Sequence, residues 1–192
     1  MMDNMSQIIM RSIDLSKYDN SWYRPGNIVT RTLLYFVNAV FFDTWFLWPN
    51  GLKTALLKIF NAKVGRHLTI KPNVNIKYPW FLEIGNNVWL GENCWLDSLA
   101  LIKVGNNVAI SQGTMLLTGN HDYKKTAFDL KLGPITIEDG VWIGAKALVC
   151  PGVTLGSHSV ICAGSVVTKN TLPYRIYQGN PAVAVRERVI SG

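Results

Sequence analysis

From Val64 to Val167 an aliphatic residue returns on a six-residue beat. The slots are Val64, Ile70, Ile76, Ile84, Leu90, Leu96, Val104, Ile110 and Leu116, then Ile137, Ile143, Val149, Leu155, Ile161 and Val167. All fifteen hold Val, Ile or Leu, although those types make up only 53 of the 192 residues. Chance produces such a run less than about once in a million. A period of six is too long for a helical turn or for simple strand alternation, so it belongs to a repeat architecture. Six extended residues span roughly 20 Å, and three such sides joined by turns close a triangular coil. The steps from Ile76 to Ile84 and from Leu96 to Val104 are eight residues long and enlarge the first two coils at one corner. Glycine follows many slots (Gly65, Gly85, Gly91, Gly105, Gly144, Gly156), and turn formers such as Asn86-Asn87, Asn106-Asn107 and Asp139-Gly140 come next. The expected fold is an all-β solenoid of about five coils. Each aliphatic slot stacks on its counterpart one coil away.

The beat stops between Leu116 and Ile137. The stretch 117–134 follows one complete side, so it should leave a corner as an external loop. A smooth prism has no pocket, so a site must come from such an insertion or from a seam between copies. His121 lies near the start of this loop, flanked by Asn120 and Asp122. A neutral imidazole can accept a proton near pH 7, although a lone loop histidine is more often a bystander.

The organisation expected is an N-terminal helical capping segment over 1–60, a β-helix over 61–172 containing loop 117–134, and a C-terminal tail over 173–192. Leu52, Ala55, Leu56, Ile59 and Phe60 fall at helical spacing and predict the buried face of a helix that Lys53 and Lys58 leave to solvent. The segment 28–48 has the length of a membrane span but contains Arg31, Asn38 and Asp43, so a buried or interfacial helix is expected before a spanning one. These helices cap an open solenoid end, with docking to a membrane surface as the sharper reading. In the tail, Arg175, Arg186 and Arg188 concentrate positive charge, and a final strand or helix should cover the other end.

Composition adds three bounds. Hydrophobic residues reach 48% and mean hydropathy is +0.15, which is rich for a monomer and points to surface buried against another subunit or a membrane. A net charge of +7 favours an anionic partner such as cofactor phosphates, nucleic acid or an anionic bilayer. Cys94, Cys150 and Cys162 are odd in number and lack metal-ligand spacing, which fits a reducing cytoplasm and packing roles. The N-terminus has acidic residues and no uninterrupted apolar run, unlike a signal peptide.

The pattern [Val/Ile/Leu]-Gly-x-x-[small]-x resembles the hexapeptide-repeat acyltransferases over roughly residues 61–188. Within them, "YPWFLEIGNNVWLGENCWLDSLALIKVGNNVAISQGTMLLTGNHDY" and "GNPAVAVRER" are most similar to the colanic-acid-biosynthesis type of saccharide O-acetyltransferase, and more distantly to galactoside and maltose acetyltransferases. The resemblance implies a left-handed parallel β-helix that assembles as a homotrimer. It implies transfer of acetyl from acetyl-CoA to a saccharide hydroxyl, in an exopolysaccharide or lipid-linked precursor, by direct attack. "GNHDY" places His121 as the catalytic general base. Asn93, Asp97 and Asp122 are the implied acceptor-binding residues; Asp97 can alternatively orient the histidine. "WIGA" and "AGSVVTK" match the family's pantetheine edge, which implies Trp142, Ala145, Ala163, Thr168, Lys169 and Arg186 for acetyl-CoA. An arginine that some relatives carry is Val183 here, so Arg175 or Arg188 can replace it at the phosphates.

Other readings stay open at this stage. One is a zinc enzyme of the γ-carbonic-anhydrase type on the same fold, but His67 and His158 lie coils away from His121, so no metal is expected. Others are a non-catalytic scaffold and an acetyltransferase for a small xenobiotic. Nucleic-acid binding has no motif beneath the charge and is not expected. The expected location is cytoplasmic, with peripheral contact at the inner face of a membrane.

Overall fold

The computed structural model describes residues 12–191. Its centre is a parallel β-helix with three faces. The first face stacks Lys63–Val64, Leu82–Ile84, Ile102–Val104, Ile135–Ile137 and Thr154–Leu155. The second stacks Thr69–Ile70, Trp89–Leu90, Ala109–Ile110, Trp142–Ile143 and Val160–Ile161, and the third stacks Asn75–Ile76, Trp95–Asp97, Met115–Leu117, Leu148–Val149 and Val166–Val167. The aliphatic slots lie in register between coils. On the second face, Ile70 pairs with Leu90, Leu90 with Ile110, Ile110 with Ile143, and Ile143 with Ile161. Every slot is buried except Val64, which is half-buried at the open end.

The corners explain the residues between slots. Asn87 and Asn107 take positive φ values of 55° to turn the chain, a conformation that asparagine tolerates better than most residues. Coils also approach closely there: a Cβ on Gly85 would lie 2.6 Å from the Gly105 carbonyl oxygen. Side chains tie the corners from coil to coil, with Asn86 Oδ1 accepting from Arg66 N at 2.8 Å and Asp139 Oδ1 from Asn106 N at 2.7 Å.

Both ends are closed. After the fifth coil, Arg175–Gly179 continues the second face beside Val160–Ile161, and Ala182–Glu187 folds back antiparallel on it. At the N-terminal end, helix α1 (Ile28–Val37) runs into a wide turn closed by Asp43 N donating to Asn38 O at 2.7 Å, and helix α2 (Asn50–Ile59) follows. The turn and α2 satisfy the first coil's free edge. Asn50 Oδ1 accepts from Ile70 N at 2.9 Å, Asn38 Oδ1 from Ile76 N at 3.1 Å, and the Phe42 carbonyl from Val74 N at 3.0 Å. Among the described residues, no helix is long and apolar enough to cross a membrane.

The predicted inward face of α2 needs correction. Leu57, Phe60 and Lys53 are buried, while Leu52, Ala55 and Ile59 are exposed. The reason is an edge requirement. Lys53 Nζ donates to the carbonyls of Ile70 and Lys71 at 3.2 and 3.3 Å, closing acceptors that burial would leave unpaired. Its ammonium pKa is lowered by burial.

All excursions leave the prism by the third-to-first corner. The two enlarged coils place Tyr78, Trp80, Phe81 and Leu99 there, packed with Tyr23 and Leu34. The long insertion leaves by the same corner from the third coil as an antiparallel hairpin, Gly119–His121 against Leu130–Leu132.

Ile110 sits at the middle of the second-face stack with no exposed surface. Ile110→Ala should destabilise the fold by about 2–5 kcal/mol, measured by urea unfolding. Trp89→Ala, on an exposed position of the same face, should cost far less.

Candidate functional site

His121 is the last residue of the hairpin's first strand, and its imidazole is held on three sides. Nδ1 lies 2.9 Å from the Phe128 carbonyl oxygen, and the Phe128 ring stacks on the imidazole at 4.4 Å and 7°. Phe128 has φ of +53°, a left-handed conformation that costs a bulky residue about 1–3 kcal/mol. That backbone twist lets a single residue offer both its ring and its carbonyl to the same histidine. A carbonyl can only accept, so Nδ1 carries the proton and Nε2 keeps its lone pair.

The third side comes from far away in sequence. The Tyr18 ring lies 5.7 Å from the His121 ring at 53°. Two contacts hold this N-terminal strap along the corner: Asp14 N donates to Thr126 O at 2.8 Å, and Tyr23 Oη donates to Leu99 O at 2.6 Å. Burial pushes the Tyr23 phenol above its usual range.

Two carboxylates stand near this corner, Asp122 beside His121 in sequence and Asp97 near the loop's exit. Asp122 pairs with Lys131 across the hairpin at 3.0 Å, and that contact holds its carboxyl below the usual range. Asp97 lies one coil below the loop's exit, paired in register with Leu117. Its Oδ1 is 3.1 Å from Lys77 Nζ, and its main-chain carbonyl accepts from Thr118 Oγ1 at 2.6 Å. Asn93 stands elsewhere. It occupies the second-to-third corner at φ of +59°, where its Oδ1 accepts from Asn73 at 2.6 Å.

A groove of about 640 Å³ runs along that second-to-third corner and the second face. Trp142, Ala145, Ala163 and Arg186 line it together, with Cys162 and Ser111 between them. The Trp142 indole donates to Ser111 Oγ at 3.0 Å, which fixes its orientation. Thr168 and Lys169 do not line this groove; they are exposed on the third-to-first corner, two coils above the hairpin's exit. Arg175 pairs with Glu187 at 3.2 Å, and Arg188 donates to the carbonyls of Gly140 and His158 at 2.9 and 3.1 Å. Arg186 and Arg188 both line the groove; Arg188 is held by main-chain carbonyls, whereas Arg186 makes no side-chain hydrogen bond or ion pair among the described residues.

His67 and His158 occupy the first-to-second corner in the first and fifth coils, away from the His121 corner. Among the described residues no three His, Cys, Asp or Glu side chains cluster tightly enough to hold a metal.

Sequence reasoning missed Tyr18, Phe128 and Lys77. No short-range signal points to them, because a strap and a backbone twist become visible only once the corner is built. It read Cys162 as a packing residue; the residue is half-buried and belongs to the groove's lining.

Comparison with known proteins fits this geometry. A family model described as the hexapeptide repeat of succinyl-transferase matches residues 134–169. The putative colanic acid biosynthesis acetyltransferase WcaF of Escherichia coli is 38% identical over 171 residues, covering 87% of this chain and 92% of that protein. The galactoside O-acetyltransferase of Escherichia coli is 34% identical over 139 residues, covering 70% and 68%. The crystal structure of a hexapeptide-repeat-containing acetyltransferase from Vibrio cholerae, complexed with acetyl-CoA, superposes with a TM-score of 0.75 at 25% identity, covering 84% and 88%.

The Phe128 contact makes a spectroscopic prediction. Long-range ¹H–¹⁵N correlation of neutral His121 should show the Nδ1–H tautomer, whereas free histidine favours Nε2–H. An Nε2–H signal would mean that the carbonyl contact is absent in solution.

Proposed function

The chain belongs to the hexapeptide-repeat acetyltransferases, and from that membership we propose that it transfers acetyl from acetyl-CoA to a saccharide hydroxyl with His121 as general base. The observation that carries this reading is the imprisoned imidazole. A strained residue points its carbonyl at Nδ1 and leaves Nε2 without a hydrogen-bond partner among the described residues. Kinship with a colanic acid biosynthesis acetyltransferase and a galactoside O-acetyltransferase supports a sugar acceptor, in an exopolysaccharide or lipid-linked precursor.

The groove fits acetyl-CoA in kind. Ala145 and Ala163 keep its wall low enough for a thin pantetheine arm, and Arg186 offers charge for phosphates. Acetyl-CoA supplies a thioester carbon open to attack by an alcohol oxygen and a thiolate that leaves. The chain's residues arrange the rest. Nε2 of His121 takes the acceptor hydroxyl's proton as that oxygen attacks. The Phe128 carbonyl holds the ring and stabilises the positive charge it acquires. Asp97 and Asp122 stand at the corner as acceptors for sugar hydroxyls, and Trp142 walls the groove near the thioester. Thr168 and Lys169 are left for the outer end of the cofactor on a neighbouring copy.

The placement supports the homotrimer that kinship with this family implies. The histidine and the groove sit on different corners, one prism face of roughly 20 Å apart. One copy's His121 therefore works with a neighbour's groove, and a closed homotrimer repeats that seam three times. Asn93, remote from His121 within one chain, joins the acceptor site across the same seam. Three free cysteines and a CoA thioester substrate suit a reducing cytoplasm.

Thiol release from acetyl-CoA with a panel of saccharides tests the reading. His121→Ala should lower kcat about 100- to 10,000-fold with little change in the KM for acetyl-CoA; an unchanged kcat overturns the role. A second readout does not depend on turnover. Saturating CoA should slow alkylation of Cys162, which lines the groove, while Cys94, buried with its thiol pushed up to about 11, stays unlabelled at neutral pH with or without CoA. Labelling of Cys162 that ignores CoA would put the cofactor elsewhere.

A further inference from the structure

The excess of positive over negative charge is concentrated toward one end of this molecule. Residues 20–82 carry eight Lys or Arg against a single acidic residue, Asp43, whereas the rest of the chain carries eleven of each. Residues 1–82 together, with ten Lys or Arg against four Asp, carry +6 of the chain's net charge of +7. Lys53 is buried there, and Lys63, Lys71 and Lys77 have carboxylate partners on the second coil. Arg24, Arg31, Lys58 and Arg66 are exposed and make no ion pair among the described residues.

The same end turns its apolar side outward. In α1 the inward positions are Leu34 and Val37, and Asn38 just beyond its end caps the solenoid edge. Val29, Leu33, Phe36 and Val40 lie on the opposite side of the helix, and Leu33 and Phe36 are 56% and 60% exposed. Trp45, Phe46 and Leu47 follow the wide turn and are more than 60% exposed. A soluble helix normally hides such a stripe. Here the helix buries only a narrow side and shows solvent a broader apolar one.

We propose that this end docks on an anionic phospholipid bilayer. The outward face of α1 and the 45–47 turn enter the interface, while Arg24, Arg31, Lys58 and Arg66 meet lipid phosphates. Charge decides between occupants. A second copy of the chain would bring a second set of cations to the same contact, whereas an anionic surface neutralises the first set. The bulky aromatic rings at the turn suit the headgroup boundary, where one side of a ring is wet.

The position of this end also gives docking a use. Tyr78 and Lys77, beside α1, stand on the corner from which the His121 hairpin leaves two coils later. At the strand spacing of a sheet, two coils are about 10 Å. A docked molecule therefore carries His121 on the corner about two coils beyond Lys77, on the side of the molecule turned toward a membrane-bound saccharide. That last link rests on the role assigned to His121; the docking itself does not.

Co-sedimentation of the full-length protein with vesicles tests the proposal. Vesicles containing phosphatidylglycerol should bind at least tenfold more tightly than pure phosphatidylcholine vesicles, with binding weakened by salt. Leu33→Asp with Phe36→Asp should lose at least tenfold of that affinity while thiol release with a soluble acceptor is unchanged. Leu33→Ser with Phe36→Ser, which adds no charge, should weaken binding in the same direction and covers the case in which the aspartates disturb folding. Arg24→Gln with Arg31→Gln should erase the lipid preference. Wild-type protein that stays in the supernatant, or variants that bind as well as wild type, overturns the proposal. So does a change in oligomeric mass by light scattering in the aspartate variant without lipid, which would make the face a contact between copies. Failure of acetyl transfer with intact vesicle binding would strike the catalytic reading alone.

Discussion

The structure depends on a stack of aliphatic side chains in which every coil buries what its neighbour would expose. No coil holds this surface alone, so stability lies in nearest-neighbour contact along one axis. The same axis carries the hydrogen bonds between coils and the corner ladder from Arg66 through Asn86 and Asn106 to Asp139. Two consequences follow. The stack must be closed at both ends, and anything not part of a side must leave at a corner without breaking the rungs.

Both consequences shape the chemistry. Closure at the N-terminal end recruits a buried lysine and asparagine side chains, because open strand edges need partners more than the cap needs an apolar contact. That is why α2 turns Lys53 inward and leaves Ile59 in solvent. Departure is confined to one corner, so the aromatic bulges of the first two coils, the strap holding Tyr18 and the histidine hairpin all lie along one edge. The rigid stack below makes the hairpin precise. A loop free in solvent would not keep Phe128 in a costly backbone conformation; here the Asp122–Lys131 pair and the strand pairing hold it there.

The proposed activity and the proposed docking share this edge logic. The groove with its low alanine wall occupies a different corner from the histidine, which makes assembly part of the proposed catalysis rather than an addition to it. The cationic, apolar end lies below the histidine corner and away from the last hairpin. A molecule built as a prism can thus address a surface with its end and a neighbour with its sides.

Much of this was legible in the sequence, and the division has a physical cause. A strict repeat writes its core into the chain, since each rung must recur at fixed spacing for coils to register. The fifteen slots, the glycine and asparagine corners and the position of the insertion could therefore be read directly. Family resemblance added His121, and it added Trp142, Ala145, Ala163 and Arg186, which the fold gathers along one groove. It also implied Thr168 and Lys169, which the fold leaves on another corner. What the chain order could not reveal is whatever depends on non-repeating contacts. The inward side of α2 is set by unpaired carbonyls on another element, the partner of His121 by the left-handed twist of Phe128, and the third wall of the imidazole by a tyrosine about a hundred residues away. Sequence determines a periodic core because its interactions are local to the repeat. Tertiary structure decides the site because its contacts join segments that share no period.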